Sequence, residues 1–102
     1  MLTSAVTDEL LRALTDPTRA AIVEALAAEQ LCVCHLVELT GATSSNLSNH
    51  LAVLRRVGAV EAEPAGRFTY CRLRPEALEA VSAYYARLAS RARLALAVKR
   101  PC

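Results

Sequence analysis

The chain has 102 residues, a length that suits one domain with a modest core. Hydrophobic residues reach 54%, yet no apolar run approaches the roughly 18 residues of a membrane span, so we expect no membrane protein. The net charge is only +2, but residues 51–102 carry ten basic side chains against four acidic ones. The second half is therefore the candidate for meeting a polyanion, although a solvated surface is the simpler explanation of a charge count.

The cysteine content indicates chemistry with metals, metalloids or oxidants. Residues 1–5 lack the basic and apolar pattern of a signal peptide, so we expect a cytoplasmic protein. Four cysteines in a reducing compartment argue against a disulfide framework. None lies in a C-x-x-C pair, which excludes the thioredoxin signature and the common zinc-ribbon spacing.

Two amphipathic helices are predicted at the N-terminal end. Val6, Leu10 and Leu14 recur at helical spacing and define the first. Asp16 is the predicted N-cap of the second helix and Pro17 its first residue, and this helix should end near residue 28 or 29.

A helix-turn-helix is predicted over about residues 32–57. Leu36 and Leu39 suit a short third helix closed by Gly41, and Thr43 is a plausible N-cap for a fourth helix. The apolar face of that fourth helix consists of Leu47, Leu51 and Leu54. A short helix, a glycine-containing turn and a longer helix with small polar side chains at its start are typical of DNA-binding domains.

A wing should follow over about residues 59–73. Residues 59–63 and 68–73 alternate as two strands around a turn at 64–67, which places Arg67 at the tip, where it can meet phosphate or a minor groove. The predicted fold is mainly α with a small β-hairpin: one winged helix-turn-helix domain over residues 1–102, in the order ααααββα.

The last helix, over about residues 75–98, has a coiled-coil-like spacing that favours a homodimer through the terminal helices. Ordinary packing on the same domain is the alternative. The predicted dimer residues are Leu10, Leu14, Leu78, Val81, Tyr85 and Leu88.

Cys32 and Cys34 are the candidate ion ligands. Soft thiolates suit As(III), Sb(III) and similar ions. Residues two apart in an α-helix lie about 200° apart around the axis, so both thiols can share an ion only if one is not helical. We therefore expect ligation to keep the start of the third helix unwound. The simpler interpretation of the pair is two small buried side chains.

Four stretches together resemble the ArsR/SmtB family of winged-helix repressors, and more narrowly its arsenic-responsive ArsR branch. They are residues 13–19, the pair at 31–34, residues 48–51 with Leu54, and the wing residues 66–70. The resemblance runs from about Leu10 to Leu73. It implies a homodimer that binds imperfect inverted repeats in double-stranded operator DNA and leaves the DNA when As(III) or Sb(III) binds.

The resemblance also implies that Ser44, Ser45, Ser48 and Asn49 approach bases or phosphates. The exposed face of the same helix adds Arg56, and the wing adds Arg67. His50 is counted with this set as a phosphate contact, although it could equally lock the helix against the rest of the domain.

The third ion ligand of the arsenic-responsive branch has no match in this sequence. The branch commonly has a third cysteine three residues after the second, and here that position is Val37. The other thiols are Cys71, which alternates with core positions and is expected to face the core, and Cys102, which lies on the tail after Pro101. Cys102 is the candidate third ligand, with Cys71, an exogenous thiol, or a methylated arsenical needing two sulfurs as alternatives. His35 stands where an acid is usual and is expected to be an exposed helix residue. The family's zinc site on the dimer helix is judged absent, because residues 75–102 contain no histidine.

Three rival functions stay open. The nearest is a repressor of the same fold that senses thiol oxidation, although a C-x-C disulfide would be strained. A small thiol oxidoreductase is less favoured, because three glycines form no phosphate-binding loop; we expect no enzyme. A protein-interaction module that uses the last helix is the third.

Overall fold

The computed structural model describes residues 6–102 as five helices and a small antiparallel sheet, the winged helix-turn-helix that the sequence predicts. The segment 1–5, where no signal peptide was expected, lies outside the described residues. The elements in chain order are α1 (Asp8–Thr15), α2 (Pro17–Ala28), β1 (Leu31–Cys32), α3 (Val33–Thr40), α4 (Ser44–Arg56), β2 (Val60–Ala65), β3 (Phe68–Leu73) and α5 (Pro75–Ala95).

Side-chain caps set the starts of α2 and α4, as predicted. The backbone N–H of Arg19 donates to Asp16 Oδ2 at 3.0 Å, and Pro17 occupies the first turn, where no amide hydrogen is needed. The N–H of Asn46 donates to Thr43 Oγ1 at 3.1 Å. These local hydrogen bonds fix the two helix boundaries.

The turn between α3 and α4 depends on Gly41. Its φ of 73° lies in the left-handed region, and its N–H donates to the carbonyl of Val37 to close α3. The short connection holds α4 at a fixed angle to α3, which is the helix-turn-helix arrangement.

The sheet has the strand order β1-β3-β2, one strand more than the predicted hairpin. β1 pairs with β3 through Leu31 opposite Cys71 and Cys32 opposite Tyr70. Its two residues have no periodicity of their own, so the sequence did not predict it. This pairing ties the cysteine stretch directly to the wing.

The wing turn is shorter than predicted. Ala65 pairs with Phe68, so the turn consists of Gly66 and Arg67, and the prediction that Pro64 and Ala65 belong to it was wrong. β2 is an edge strand, and an edge tolerates a proline that cannot donate to the ladder.

The core lies between α1–α4 and the inner face of the sheet. The largest fully buried side chains are Val6, Ile22, Leu36, Leu47 and Leu54. Leu47, Leu51 and Leu54 form the buried face of α4, as predicted, and leave the opposite face to solvent. The core thus presents the polar face of α4 outward.

Arg19 connects three helices. Its Nε donates to the carbonyl of Ala13 at the end of α1 at 2.7 Å, and its Nη1 lies 3.1 Å from His50 Nδ1 on α4. Asp16 Oδ2 lies 3.9 Å from the same ring nitrogen. The backbone hydrogen bond from Arg19 lowers the pKa of Asp16, and the charges of Arg19 and His50 act in the same direction.

The last helix makes few contacts with its own domain. α5 ends at Ala95, slightly before the predicted end near 98, and has no fully buried side chain. Val81 packs against the edge of the core. Among residues 6–102, no helix combines the length and apolarity needed to cross a bilayer.

The Asp16→Asn variant should have a lower free energy of unfolding than wild type at neutral pH, and the difference should be small at acid pH. The pKa of Asp16 is lower in the folded than in the unfolded state, so the ionised carboxylate stabilises the fold above the unfolded pKa. That contribution disappears as the pH falls through the folded pKa. Urea unfolding at pH 7 and pH 3, at one protein concentration, measures the gap to wild type.

Glu24→Gln, which changes an exposed carboxylate on α2, is the matched control and should behave alike at both pH values. If the difference in unfolding free energy between Asp16→Asn and wild type were equally large at pH 3 and pH 7, the stabilising role of the ionised Asp16 carboxylate would be contradicted.

Candidate metal centre and nucleic-acid interface

Cys32 and Cys34 lie at the junction between β1 and α3. Cys32 has extended backbone angles (φ −84°, ψ 167°) and is the N-cap of α3, whereas Cys34 lies in the first turn of the helix. The expected separation of about 200° applies only to two helical residues. The fold therefore brings the two thiols together because Cys32 is not helical, which is the condition that the sequence argument set. The expectation that ligation keeps the start of α3 unwound stays a prediction.

His35 joins the pair. The Sγ atoms of Cys32 and Cys34 and a ring nitrogen of His35 lie within 4.8 Å of one another. His35 Nδ1 accepts from the backbone N–H of Cys32 at 3.3 Å and lies 3.2 Å from Cys32 Sγ. The side chain is exposed, as predicted, but its ring is beside the thiols. The sequence signal that could have indicated this is the capping-box spacing, in which a side chain three residues after the N-cap reaches back to the backbone of the cap.

The two thiols are unequal. A hydrogen bond between the side chains lowers the pKa of Cys32 and raises that of Cys34. Cys32 is buried and Cys34 exposed. The site thus offers one readily formed thiolate and one accessible thiol, a donor set that suits soft and borderline ions.

The other two cysteines lie elsewhere. Cys71 is 3% exposed, faces the core as predicted, and burial raises its pKa. Cys102 is exposed at the chain end, and within residues 6–102 it does not belong to the donor cluster. In one protomer, therefore, the side chain that lies beside the pair is His35, whereas Cys102 as third ligand stays a prediction.

The tip of the wing reaches the cysteine junction. A pocket of about 220 Å³ is lined by Cys32, Val33 and Cys34 on one side and by Arg67, Phe68 and Thr69 on the other. The candidate ion ligands and the wing tip therefore share one cavity.

The outer face of α4 carries the predicted polar residues. Ser44, Ser45, Ser48, Asn49 and Arg56 are all exposed there. Arg67 is exposed at the wing turn. α4 and the wing tip thus expose polar and basic side chains, the kind that meets phosphate and base edges.

Arg55 belongs to this face and was missed by the sequence reasoning. It lines a groove between α4 and the wing together with Ser48, Ala52 and Thr69. The sequence signal that could have identified Arg55 is the helical spacing of residues 48, 52 and 55, which lie on one face of α4. Among residues 6–102, no ion pair involves Arg55, Arg56 or Arg67, whereas Arg72 and Arg74 are bound by wing and α5 carboxylates.

His50 lies on a different face of α4. Its ring contacts Arg19, and its side chain is 18% exposed. This contact with α2 suits the locking role, and the phosphate contact of His50 stays a prediction.

The predicted dimer residues separate into two groups. Leu10 is 2% exposed and belongs to the protomer's own core, which leaves it almost no surface for a partner. The others are half-buried or exposed: Leu14, Leu78, Val81, Tyr85 and Leu88. Tyr85 is 51% exposed and Leu88 36%, so α5 presents an uncovered apolar seam.

Comparisons with known proteins agree with this fold. Residues 16–62 match the family described as "Bacterial regulatory protein, arsR family". The HTH-type transcriptional repressor SmtB of Mycobacterium tuberculosis is 43% identical over 65 residues, which are 64% of this chain and 48% of SmtB. The arsenic resistance transcriptional regulator ArsR1 of Pseudomonas putida is 37% identical over 73 residues, 71% of this chain and 57% of ArsR1. The chain thus spans about half the length of these curated relatives.

A solved structure extends the likeness over nearly the whole chain. It is described as a possible transcriptional regulator for arsenical resistance, is 31% identical, and superposes with a TM-score of 0.72 over 93% of this chain and 100% of that one. The family is one of regulatory proteins, which confirms the expectation that this is no enzyme. With its helix-turn-helix, its wing and its thiol pair at the start of α3, the chain belongs to the arsR family of bacterial regulatory proteins.

Proposed function

We propose that the protein is a transcriptional repressor that binds double-stranded operator DNA as a homodimer and leaves it when a thiophilic ion binds Cys32 and Cys34. The observation that carries the proposal is the position of the two thiols at the β1–α3 junction, between the wing and the helix-turn-helix. A repressor of this kind acts in the cytoplasm, where bacterial DNA is.

DNA would be read by α4 and held by the wing. Ser44, Ser45, Ser48 and Asn49 are exposed near the start of α4, where a recognition helix meets base edges. Arg55, Arg56 and Arg67 flank them as cations without carboxylate partners among the described residues, and they suit phosphates.

The homodimer would form through α5. Its seam of Leu78, Val81, Tyr85 and Leu88 is incompletely covered by its own domain, and a second copy is the natural cover for a helix with coiled-coil spacing. A two-fold dimer also suits operators made of inverted repeats.

Release would follow from two connections of Cys32. Its backbone pairs with Tyr70 of the wing strand, and it caps α3, which leads through Gly41 to α4. An ion can shift the protein away from DNA only if it binds one conformation more tightly than the other. Because Cys32 belongs to the sheet and Cys34 to the helix, closing both thiols on one ion fixes the angle between those elements.

As(III) or Sb(III) is the proposed inducer, because soft thiolates prefer such ions. A borderline ion such as Zn(II) or Cd(II) is the second candidate. The observation that favours it is His35, whose ring nitrogen completes a Cys₂His donor set of a kind found in zinc sites. An inducing oxidant is less favoured, because a disulfide between Cys32 and Cys34 would be strained.

Changing both cysteines to serine (Cys32→Ser with Cys34→Ser) should abolish release but keep DNA binding. Fluorescence anisotropy of the DNA upstream of the protein's own gene, titrated with reduced protein and then with sodium arsenite, measures both properties. Cys102→Ser is the matched control and should still release the DNA. Arsenite-driven release by the double variant would refute the proposed sensor.

Arg55→Ala and Arg67→Ala should each weaken DNA binding at all sequences. Removing one phosphate-binding cation should reduce the slope of log K against log salt by about one unit, counted per protomer. Arg93→Ala, an exposed cation on α5, is the control and should keep the wild-type slope. An unchanged slope for either variant would remove that arginine from the DNA-binding surface.

His35→Ala should separate the two classes of inducer. Loss of this donor should weaken Zn(II) or Cd(II) binding by at least about 10-fold. Arsenite binding should change little, since soft As(III) relies on the thiolates. Competition with a chromogenic chelator measures the metals, and Glu38→Gln, an exposed change on the same helix, is the control. Equal loss for arsenite and the metals would assign His35 a general role in ordering Cys32.

A further inference from the structure

Arg19 and His50 join α2 to α4, the helix that carries the candidate DNA-reading residues. Nη1 of Arg19 lies 3.1 Å from His50 Nδ1, while Nε of the same guanidinium donates to the carbonyl of Ala13 at 2.7 Å. His50 directly follows Asn49, which is exposed on the outer face of α4. The contact therefore lies on the same helical turn as the candidate DNA-reading surface, but on a side that is only 18% exposed.

The contact fixes the charge of the histidine ring. A guanidinium has N–H donors and no lone pair with which to accept, so His50 Nδ1 must be the acceptor. A ring nitrogen accepts only when it carries no proton, which makes the ring neutral with its proton on Nε2. Protonation of Nδ1 removes the acceptor and places two cations 3.1 Å apart. The hydrogen bond between α2 and α4 thus exists in one protonation state of the ring only.

Asp16 offers the ring a second partner. Its Oδ2 lies 3.9 Å from His50 Nδ1, too far for a hydrogen bond but close enough to attract a protonated ring. The hydrogen bond from the backbone N–H of Arg19 lowers the pKa of Asp16 below its ordinary value, so this carboxylate is ionised throughout the range of about pH 5 to 8 in which imidazoles change charge. A protonated ring is therefore repelled by the guanidinium and attracted by the carboxylate.

Other charged groups around α4 leave the His50 ring to these two partners. Glu9 and Arg12 of α1 line a groove with Arg19 and Arg56, and within residues 6–102 none of these lining residues except Arg19 bonds or pairs with the ring. The same holds for the titratable side chains of α3 and β2, the other elements packed against α4: Cys34, His35, Glu38, Glu61 and Glu63.

We infer that Arg19 is a positioning residue for α4, a role that rests on the proposed DNA-binding function, and that a proton on His50 releases α4 from it. Arg19 cannot follow the ring, because its Nε is held by the carbonyl of Ala13 and its backbone N–H by Asp16. A move of the ring from the guanidinium toward the carboxylate therefore displaces the turn of α4 that carries Asn49. Acid thus becomes a second signal, independent of the thiols, that weakens the hold on DNA.

The two states of the ring give the pH effect its sign. The neutral ring keeps α4 in place, so affinity for operator DNA should be full above the titration of the imidazole and should fall as the pH decreases through it. Charge alone predicts the opposite, because added positive charge strengthens binding to a polyanion. The direction of the change therefore separates a positioning contact from a general electrostatic effect.

The test measures the ratio of DNA affinities at pH 7.5 and pH 5.5. Fluorescence anisotropy uses the DNA upstream of the protein's own gene with a pH-insensitive dye, in EDTA and a reductant so that the thiols carry no ion. Wild type should lose about 5- to 10-fold in affinity at pH 5.5. In His50→Asn the loss should shrink to less than about 2-fold, because the amide oxygen accepts from Arg19 and does not titrate. In His50→Ala affinity should be low at both pH values.

Arg12→Ala, which removes an exposed cation on α1, is the matched control and should keep the wild-type ratio. Circular dichroism at both pH values verifies that each variant is folded. A wild-type affinity that is equal or higher at pH 5.5 would overturn the inference. A loss that persists in His50→Asn and disappears in His35→Asn would also overturn it, because the effect would then belong to the other imidazole of the chain.

A measurement without DNA separates this inference from the proposed function. Hydrogen exchange of the backbone amides of α4, corrected for the intrinsic pH dependence of exchange, should increase from pH 7.5 to pH 5.5 in wild type but not in His50→Asn. Unchanged protection of α4 in wild type would overturn the inference. Increased exchange in a protein that binds no DNA at pH 7.5 would support the contact with Arg19 as the element that positions α4 and would refute the proposed function.

Discussion

The pairing of two residues, Leu31 and Cys32, with the wing strand β3 is the constraint on which the candidate site depends. It holds Cys32 in extended backbone, so that α3 begins one residue later and Cys34 points back toward Cys32. Without this pairing, both cysteines would belong to one helix and face different directions. The same two backbone positions bring the wing tip beside the thiols, so the candidate ion site and the candidate DNA-binding surface meet in one small sheet.

Short-range signals made most of the fold predictable. The caps at Asp16 and Thr43, the left-handed Gly41 and the leucine spacing of α4 each act within about one turn of helix, and each was confirmed. β1 was missed because its partner lies some forty residues away. A two-residue strand owes its existence to that partner and not to its own side chains, so no local pattern announces it.

The cysteines of the candidate site were predictable, but their neighbours were less so. Cys32 and Cys34 were singled out from their spacing, and in the structure their Sγ atoms lie within 4.8 Å of each other. His35, His50 and Leu10 were interpreted from position along a helix, whereas their environments are set by other parts of the chain. The ring of His35 turns back to a cap, that of His50 meets Arg19 from α2, and Leu10 is covered by the core. Helical spacing tells which residues share a face, but not which face a neighbouring element covers.

The uncovered seam of α5 has a consequence for how the protein survives at low abundance. Most of the stability of a helix in a protein comes from tertiary packing, and α5 has no fully buried side chain to anchor it to its own domain. If the proposed homodimer covers this seam, dilution separates the two copies and exposes the backbone of α5 to fraying and to proteases. Under that proposal, the concentration of the protein sets how well its last helix is protected.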